Sequence, residues 1–271
     1  MSRLIISEKS DAAARIATIL SGGASKRTSI NKVPVFQFED DDGPVSVVGL
    51  RGHIIELDYP KELNNWAEVE LSDLIFAEQE KKVTAHNIVS TIRDLSKDAD
   101  EIIIATDFDR EGELIGLEAA RLLDLAGKKV SRAKFSAFTK HEIETAFAQL
   151  TKPDEKLADS AECRQQIDLA WGAVLTRFIS LASQQGGHNY LSVGRVQSPT
   201  LALIVDKHKS IEEFVPTPYW NVSARFDKDG EFIANHVKNP FKEEEGAQRA
   251  LTNCEGHLSG KVVQYEQKEK D

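Results

Sequence analysis

The chain has 271 residues, of which 41% are hydrophobic and 29% are charged, and its formal net charge is −10 at pH 7. At roughly 100–200 residues per domain this length predicts about two domains, and the composition excludes a disordered chain, a collagen-like repeat and a coiled-coil rod. No apolar run approaches the roughly 18–20 residues that cross a bilayer, no signal peptide is recognisable, and the two cysteines lie far apart. We therefore expect a cytoplasmic protein in a reducing compartment.

The first element predicted along the chain is a strand followed by a helix. Leu4-Ile5-Ile6 is a short apolar run, and beyond Ser7 apolar residues recur at helical spacing between positions 12 and 20. Two further apolar stretches, 33–38 and 45–50, flank an acidic run at 39–42, which is typical of a solvated turn.

A second strand and helix repeat this design. Residues 101–105 form a β-branched apolar run, and a stretch of helical period follows from about 111 to 126. A third strand is predicted at 130–136, before a helix that opens at Thr139. Strands without alternation, separated by helices, are typical of a parallel sheet covered on both faces, so we expect an α/β fold here.

The pattern changes after Pro153. Residues 155–183 predict one or two helices and residues 196–208 another, and from Tyr219 alternate residues are apolar. A turn is predicted at 227–230, with 232–237 as the hairpin partner of the strand before it. We expect an α/β domain over 1–153, a helical domain over 154–214, and the incomplete start of a β-rich domain over 215–271.

Three closely spaced acids follow the second strand. Asp107 and Asp109 lie two residues apart at its carboxyl end, and Glu111 enters the next helix. In doubly wound sheets ligands bind at this edge, and clustered carboxylates suit Mg²⁺, which proteins hold through one or two carboxylates, water and substrate phosphate. The spacing therefore predicts a magnesium site.

Two other interpretations compete with the magnesium site. Acids in a first helical turn complement the positive end of the helix by about 0.3–1 kcal/mol each, which accounts for Glu111 and Glu113 but not for the two aspartates. An EF-hand calcium loop fits part of the spacing over 107–118, but it needs an incoming helix where residues 102–104 predict a strand.

Glu8 and Lys9 occupy the corresponding place after the first strand. If the two strands are neighbours, Glu8 faces Asp107 and Asp109. A carboxyl group there can donate or accept a proton at an oxygen of a phosphate ester, and Lys9 can supply positive charge to the phosphate. Taken without the acidic cluster, the pair would be an ordinary exposed helix turn.

These residues resemble the Toprim domain of type IA DNA topoisomerases, in which an N-terminal Glu and a D-x-D-x-E cluster form the metal and catalytic centre. Glu8, Asp107, Asp109 and Glu111 match those places. Other segments are similar to the same family in the same order, namely 49–53, 135–143, the spaced residues Arg164, Asp168, Gly172, Thr176 and Arg177, and 192–201. Lys9 directly after Glu8 is similar to the topoisomerase III and archaeal branch.

The resemblance implies a role for each matching residue. Glu8 would transfer a proton at the 3′ oxygen of DNA, Lys9 and Arg195 would steady the phosphate, and Glu8, Asp107, Asp109 and Glu111 would surround Mg²⁺. The DNA-binding residues would be His53, Arg164, Asp168, Ser192, Val193, Gly194, Arg195, Val196 and Gln197. The implied enzyme is an ATP-independent monomer, associated with the nucleoid, that breaks one DNA strand through a 5′-phosphotyrosine, passes a strand and religates the break.

Binding to DNA has to be reconciled with the acidity of the chain, because nucleic-acid binders usually carry a basic surface. Residues 156–209 contain six basic and four acidic side chains, so the excess of acid lies elsewhere. Gly194 before Arg195 gives a flexible approach to a helix N-terminus, where N–H groups and a guanidinium favour phosphate. The alternative to a phosphate site at Gly194 and Arg195 is an ordinary helix start with Pro199 in its first turn. The alternative to DNA binding by His53 is a structural hydrogen bond of its side chain.

None of the four tyrosines, at 59, 190, 219 and 265, stands in the Tyr-x-Arg-Thr-like context of the family's nucleophile. We therefore expect a fragment of a longer enzyme that is inactive in strand cleavage by itself.

Three alternatives to this function stay open. The first is the topoisomerase half of a reverse gyrase, which needs a helicase ahead of Met1. The second is another Toprim enzyme such as a primase or nuclease, which would lack the 192–201 segment. The third is a non-catalytic DNA-binding module.

Overall fold

The computed structural model describes residues 1–227 and 230–263, except for the side chain of His188. The chain divides into two compact units, Met1–Leu201 and Ala202–Asp271. The domain boundaries expected at 153 and 214 stay predictions. Within the described ranges, no helix is both long enough and apolar enough to span a bilayer.

The first unit alternates strands and helices. In chain order its elements are β1 (Arg3–Ser7), α1 (Ser10–Leu20), β2 (Lys26–Ile30), β3 (Val33–Asp40), β4 (Gly43–Gly49), β5 (Ile55–Asp58), α2 (Asp73–Phe76), β6 (Glu80–Val83), α3 (His86–Lys97), β7 (Glu101–Ala105), α4 (Arg110–Arg121), β8 (Lys129–Arg132), α5 (Lys140–Ala148) and α6 (Glu155–Ala182). Short 3-10 turns occupy Lys61–Asn64 and Gly187–Asn189. Helix α7 (Gln197–Glu212) begins at the end of this unit.

A six-stranded sheet in the order β2-β3-β4-β1-β7-β8 forms the centre of the first unit. The strands β4, β1, β7 and β8 are parallel, whereas β3 is antiparallel to both β2 and β4. The α/β fold class is confirmed. The sheet is mixed, however, because the acidic turn at 39–42 closes an antiparallel hairpin of β3 and β4 rather than a crossover.

Helices cover both faces of this sheet, as the unbroken apolar strands predict. Leu4, Ile6 and Ile102 pack on one face against α3 and α4, with Ile92 and Ile115 among their neighbours. The intervening strand positions Ile5 and Ile103 pack on the other face against α1 and α5. Successive side chains of a strand point to opposite faces, so one apolar run serves two cores.

Several predicted elements differ from the observed ones at their ends. Helix α4 ends at Arg121 rather than near 126, and strand β8 ends at Arg132 rather than at 136. Thr139 is the N-cap of α5, as predicted, and its side chain accepts a hydrogen bond from the N–H of Glu142. Residues 155–182 form one unbroken helix, which decides between the one or two helices predicted there.

The second unit contains part of α7, an antiparallel pair of β9 (Ser223–Asp227) and β10 (Glu231–Asn235), and α8 (Glu244–Thr252). Phe226 and Phe232 are register partners in this pair, so the predicted hairpin is confirmed. Lys228 and Asp229 of its predicted turn lie outside the described residues, as do Tyr265 and positions 266–271.

Candidate active site

Two neighbouring parallel strands place the predicted acids at one edge of the sheet. Ser7 and Ala105, the last residues of β1 and β7, are register partners. Glu8 follows β1 directly, and Asp107 lies two residues beyond β7. The expected adjacency of the two strands is therefore confirmed.

Lys9 shows that the two strand ends share one electrostatic environment. Its Nζ lies 3.2 Å from Oε1 of Glu8. The hydrogen bond and charge of Glu8 raise the pKa of Lys9, and the carboxylates of Asp107 and Asp109 raise this pKa further. Acids from both strand ends thus act on a single ammonium group.

Two glycines allow the backbones around the acids to approach closely. A Cβ atom at Gly49, the last residue of β4, would collide with backbone atoms of Lys9 and Ser10. A Cβ atom at Gly112 would collide with the backbone carbonyl of Asp107. The position of the Glu8 corner therefore depends on Gly49, and the packing of α4 against Asp107 depends on Gly112.

Asp109 is the N-cap of α4. Its Oδ1 accepts a hydrogen bond of 2.7 Å from the N–H of Gly112, and the hydroxyl of Thr106 donates to the Gly112 carbonyl at 2.6 Å. The helix begins at Arg110 and a strand precedes the acids. The EF-hand alternative is therefore excluded.

A buried ion pair lies beneath the acids. Nε of Arg132 donates to Oε2 of Glu113 at 2.8 Å, and both side chains are almost completely buried. The same guanidinium donates to the carbonyls of Thr106 at 2.9 Å and Asp107 at 2.8 Å, while Oε1 of Glu113 accepts from the N–H of Asp154 at 2.7 Å. Glu113 lies in the first turn of α4, as the helix-end interpretation requires, but its carboxylate faces inward and also connects the end of β7 to the start of α6.

Glu111 points away from that pair and toward α6. Its Oε1 lies 3.2 Å from Nη1 of Arg164, and its Oε2 lies 3.6 Å from Nε2 of His53. The amide nitrogen of Gln165 lies 3.3 Å from Nδ1 of His53. One turn further along α6, Asp168 accepts hydrogen bonds of 2.5 and 3.2 Å from Arg195, which lowers the pKa of Asp168.

Residues 190–195, which we call the strap, lie along α6. The N–H of Leu191 donates to the hydroxyl of Ser180 at 2.9 Å, and the N–H of Val193 donates to the hydroxyl of Thr176 at 3.0 Å. With Asp168 bound to Arg195, three side chains of α6 hold the strap. The predicted DNA-binding residues Ser192, Arg195, Val196 and Gln197 are exposed, and Val193 and Gly194 are half-buried. Helix α7 begins at Gln197, one residue later than predicted.

Comparison with known proteins assigns this arrangement to a family. The family model described as Toprim domain matches residues 3–138, and the model described as DNA topoisomerase matches residues 152–271. DNA topoisomerase 1 of Thermoplasma acidophilum is 42% identical over 267 residues, which cover 98% of this chain and 34% of that protein. The chain belongs to the type IA DNA topoisomerases.

Other members of the family agree with this assignment. DNA topoisomerase 1 of Archaeoglobus fulgidus is 46% identical, and the match covers 90% of this chain and 36% of that protein. Human DNA topoisomerase 3-alpha is 33% identical, and the match covers 84% of this chain and 24% of that protein. The solved structure of full-length topoisomerase I from Thermotoga maritima matches with a TM-score of 0.56 and 27% identity, covering 91% of this chain and 37% of that one. The chain spans about a third of the length of the first two relatives.

The donor set at the edge of the sheet fits a hard divalent cation, although it is not a ready-made cage. Among the described residues, no three side chains of His, Cys, Asp or Glu are grouped so as to hold a metal ion. Three of the four acids already have partners, since Glu8 pairs with Lys9, Asp109 caps α4 and Glu111 pairs with Arg164. Mg²⁺ does not require such a cage, because water and substrate phosphate usually complete its oxygen shell.

The sequence did not predict Arg132, which the structure places directly under the acids. Arg132 ends β8, where the sequence predicts only a strand over 130–136, and its partner Glu113 is 19 positions away in the chain. Arg177, which resembles part of the family's spaced helix, is also buried. Its guanidinium donates to the carbonyl of Leu63 at 2.6 Å and lies 5.5 Å from the ring centre of Trp66.

Proposed function

We propose that this chain supplies the Toprim part and the first DNA-binding part of a type IA DNA topoisomerase that breaks one strand, passes a strand through the gap and religates it. One observation carries the proposal. Ser7 and Ala105 are register partners at the ends of adjacent parallel strands, which brings Glu8, paired with Lys9 at 3.2 Å, to the same edge of the sheet as Asp107 and Asp109. An acid, a base and an oxygen-rich cation site beside one phosphate are what this reaction needs.

Glu8 is the proposed proton donor and acceptor. When the tyrosine attacks the phosphorus, its hydroxyl proton passes to water, a new O–P bond forms, the bond from phosphorus to the 3′ oxygen breaks, and that oxygen takes a proton from Glu8. In religation the 3′ hydroxyl gives its proton to Glu8 and attacks the phosphorus, and the bond from phosphorus to the tyrosine oxygen breaks, so that the tyrosine regains a proton from water. Lys9 and Arg195 place positive charge at the phosphate oxygens during both steps.

The nucleophilic tyrosine is proposed to be none of the four in this chain. Tyr59 is buried, and its hydroxyl donates to the carbonyl of Leu74 at 2.6 Å. Tyr190 and Tyr219 are exposed but lack the family's sequence context, and Tyr265 lies outside the described residues. Residues 1–271 should therefore bind DNA without cutting it.

Asp107, Asp109 and Glu111, with Glu8 beside them, are proposed to hold Mg²⁺. When bound, the cation would offset the negative charge of these carboxylates and of the phosphodiester. Asp107 is the best-placed ligand, because its carboxylate makes no hydrogen bond or ion pair within the described residues, whereas the other three acids have partners.

The strap and the neighbouring face of α6 are proposed to bind single-stranded or underwound DNA. Arg195 and Arg164 supply guanidinium groups for phosphates, and Ser192 and Gln197 supply neutral donors, with His53 beside them. Val193, Gly194, Val196 and Asp168 position these groups. We propose that the protein is monomeric, cytoplasmic and associated with the nucleoid.

The test uses residues 1–271 with a labelled single-stranded oligonucleotide and with supercoiled plasmid, each with Mg²⁺. We expect salt-sensitive binding of the oligonucleotide and no relaxation of the plasmid. Relaxation by this chain alone would overturn the argument from the missing tyrosine. Absence of single-strand binding would overturn the DNA-binding role, and release of cut strands without attached protein would favour a Toprim nuclease.

A further inference from the structure

A continuous chain of ion pairs connects a proposed cation ligand to a proposed phosphate ligand. Glu111 pairs with Arg164 at 3.2 Å, Nε of Arg164 lies 3.6 Å from Oδ2 of Asp168, and Asp168 pairs with Arg195. The four residues come from α4, α6 and the strap, all within the first compact unit. Neither Glu111 nor Arg195 can bind its proposed ligand with full strength while it keeps its present partner.

Arg164 is placed between two acids and has an unused donor. Its Nε is buried and has no hydrogen-bond partner among the described residues, since 3.6 Å is too long for a hydrogen bond to Asp168. A buried N–H without an acceptor is unfavourable and rare in native proteins. Because this Nε is buried, a phosphate would meet the guanidinium through its Nη groups, one of which now donates to Glu111.

The partners of Glu111 are held loosely enough to exchange. The side chains of Glu111, Arg164, Asp168 and Arg195 are 32%, 34%, 38% and 42% exposed. Pairs this accessible to water contribute little net stability, so a ligand can displace one member at small cost. The Arg132–Glu113 pair shows the contrast, because both of its side chains are at most 1% exposed and removing either one leaves a buried charge.

We propose that Arg164 is a positioning residue that couples the cation site to the DNA site. A DNA phosphate takes the guanidinium of Arg164 away from Glu111, and the released carboxylate then turns to the divalent cation. Binding of DNA therefore tightens binding of Mg²⁺, and by linkage Mg²⁺ tightens binding of DNA by the same factor. This inference rests on the proposed function, because it assumes that both ligands bind where we place them.

The competing role for Arg164 is that of a brace, by which we mean a purely structural contact between α4 and α6 that fixes the position of Glu111. A brace would hold Glu111 in place for the cation, so its loss would weaken Mg²⁺ binding even without DNA. The coupling role predicts the reverse, because loss of Arg164 frees Glu111 in advance. The two roles therefore differ in the sign of a measurable effect.

The experiment measures Mg²⁺ affinity by calorimetry, with and without a saturating single-stranded oligonucleotide, on residues 1–271. In the wild-type chain we expect the oligonucleotide to tighten Mg²⁺ binding about five-fold or more. In Arg164→Ala, Mg²⁺ alone should bind at least as tightly as to the wild type, and the effect of the oligonucleotide should fall below about two-fold. Arg164→Gln, which keeps most of the side-chain stem, should repeat this result if the alanine variant does not fold.

Two controls separate coupling from simple charge effects. Arg121→Ala removes an exposed arginine from α4 and should keep the wild-type coupling. A titration of Mg²⁺ into the oligonucleotide without protein reports how much Mg²⁺ binds to the oligonucleotide alone, and this background is subtracted.

Each remaining outcome is decisive. If the wild-type chain binds no Mg²⁺ or no oligonucleotide, the proposed function fails and the inference fails with it. If both ligands bind but Arg164→Ala keeps the wild-type coupling, the inference alone is overturned. Weaker binding of Mg²⁺ to Arg164→Ala without DNA assigns Arg164 as a brace and also overturns it.

Discussion

Ser7 and Ala105 lie opposite each other at the ends of adjacent parallel strands, with Glu8 next in the chain after one and Asp107 two residues after the other. This register brings acids that are about a hundred positions apart to one edge of the sheet. Because carboxyl ends of parallel strands meet at the same edge, two separate strand ends can contribute to one site.

Replacing the two aspartates should weaken the proposed cation site. Asp107→Asn with Asp109→Asn removes two hard oxygen ligands, and we expect Mg²⁺ to bind at least about ten-fold more weakly in calorimetry. Glu244→Gln with Glu245→Gln removes two exposed acids from α8 and serves as the control for net charge. Unchanged affinity in the aspartate variant would place the cation elsewhere.

Removing Arg195 should reduce the electrostatic part of DNA binding. Arg195→Ala should weaken binding of a single-stranded oligonucleotide and lower the slope of log affinity against log salt by about one unit, because one phosphate contact is lost. Fluorescence anisotropy over a range of salt concentrations measures this slope. The control is Lys140→Ala on α5, which removes an exposed cation outside the strap. A slope equal to that of the wild type would exclude Arg195 from the contact surface.

Breaking the buried ion pair under the acids should destabilise the fold. Arg132→Ala leaves the carboxylate of Glu113 buried without its cation, which typically costs about 3–5 kcal/mol. Urea unfolding should show this loss, whereas exposed Arg121→Ala should change the free energy of unfolding by less than about 0.5 kcal/mol. A loss of similar size in both variants would show that the pair does not secure the end of β7.

Glu118 should make stability depend on pH. Its side chain is buried with Lys81 at 3.4 Å, and burial raises its pKa above the ordinary value of 4.5. The native state therefore holds this proton more tightly than the unfolded state, so the favourable contribution is complete below pH 4.5 and is lost as pH rises through the native pKa.

Glu118→Gln removes this titration. The melting temperature of the variant, taken relative to the wild type, should therefore rise between pH 4.5 and neutrality. Calorimetric melting at several pH values measures the difference, with exposed Glu144→Gln as the matched variant. A difference that stays flat or falls with pH would show that the burial of Glu118 does not disfavour its charged form.

The core of the first unit could be predicted because its strands are unbroken apolar runs. Residues 4–6 and 101–105 each place apolar side chains in the cores on both faces of the sheet, so a run of only a few apolar residues predicts a buried strand. The prediction missed β2, because four of its five residues are exposed at the sheet edge and carry no apolar pattern. It also missed β5 and β6, four residues each, which pair only with each other.

The acids of the site could be predicted, but their partners could not. Spacing alone places Asp107 and Asp109 at a strand end, whereas the contact of Glu111 with Arg164 depends on how α6 packs against α4, 53 positions later in the chain. Arg132 is a similar case, since its role follows from four carbonyls and one carboxylate that surround it in the folded chain. Long-range pairing of this kind leaves no local pattern in a single sequence.

A crystal of residues 1–271 soaked in Mn²⁺, located by its anomalous scattering, tests the central claim most directly. We expect a single strong peak at the carboxyl ends of β1 and β7, bound to Asp107 within about 2–2.3 Å and flanked by the carboxylate of Glu8. A peak held by other residues, or no peak at this edge under saturating Mn²⁺, would contradict it.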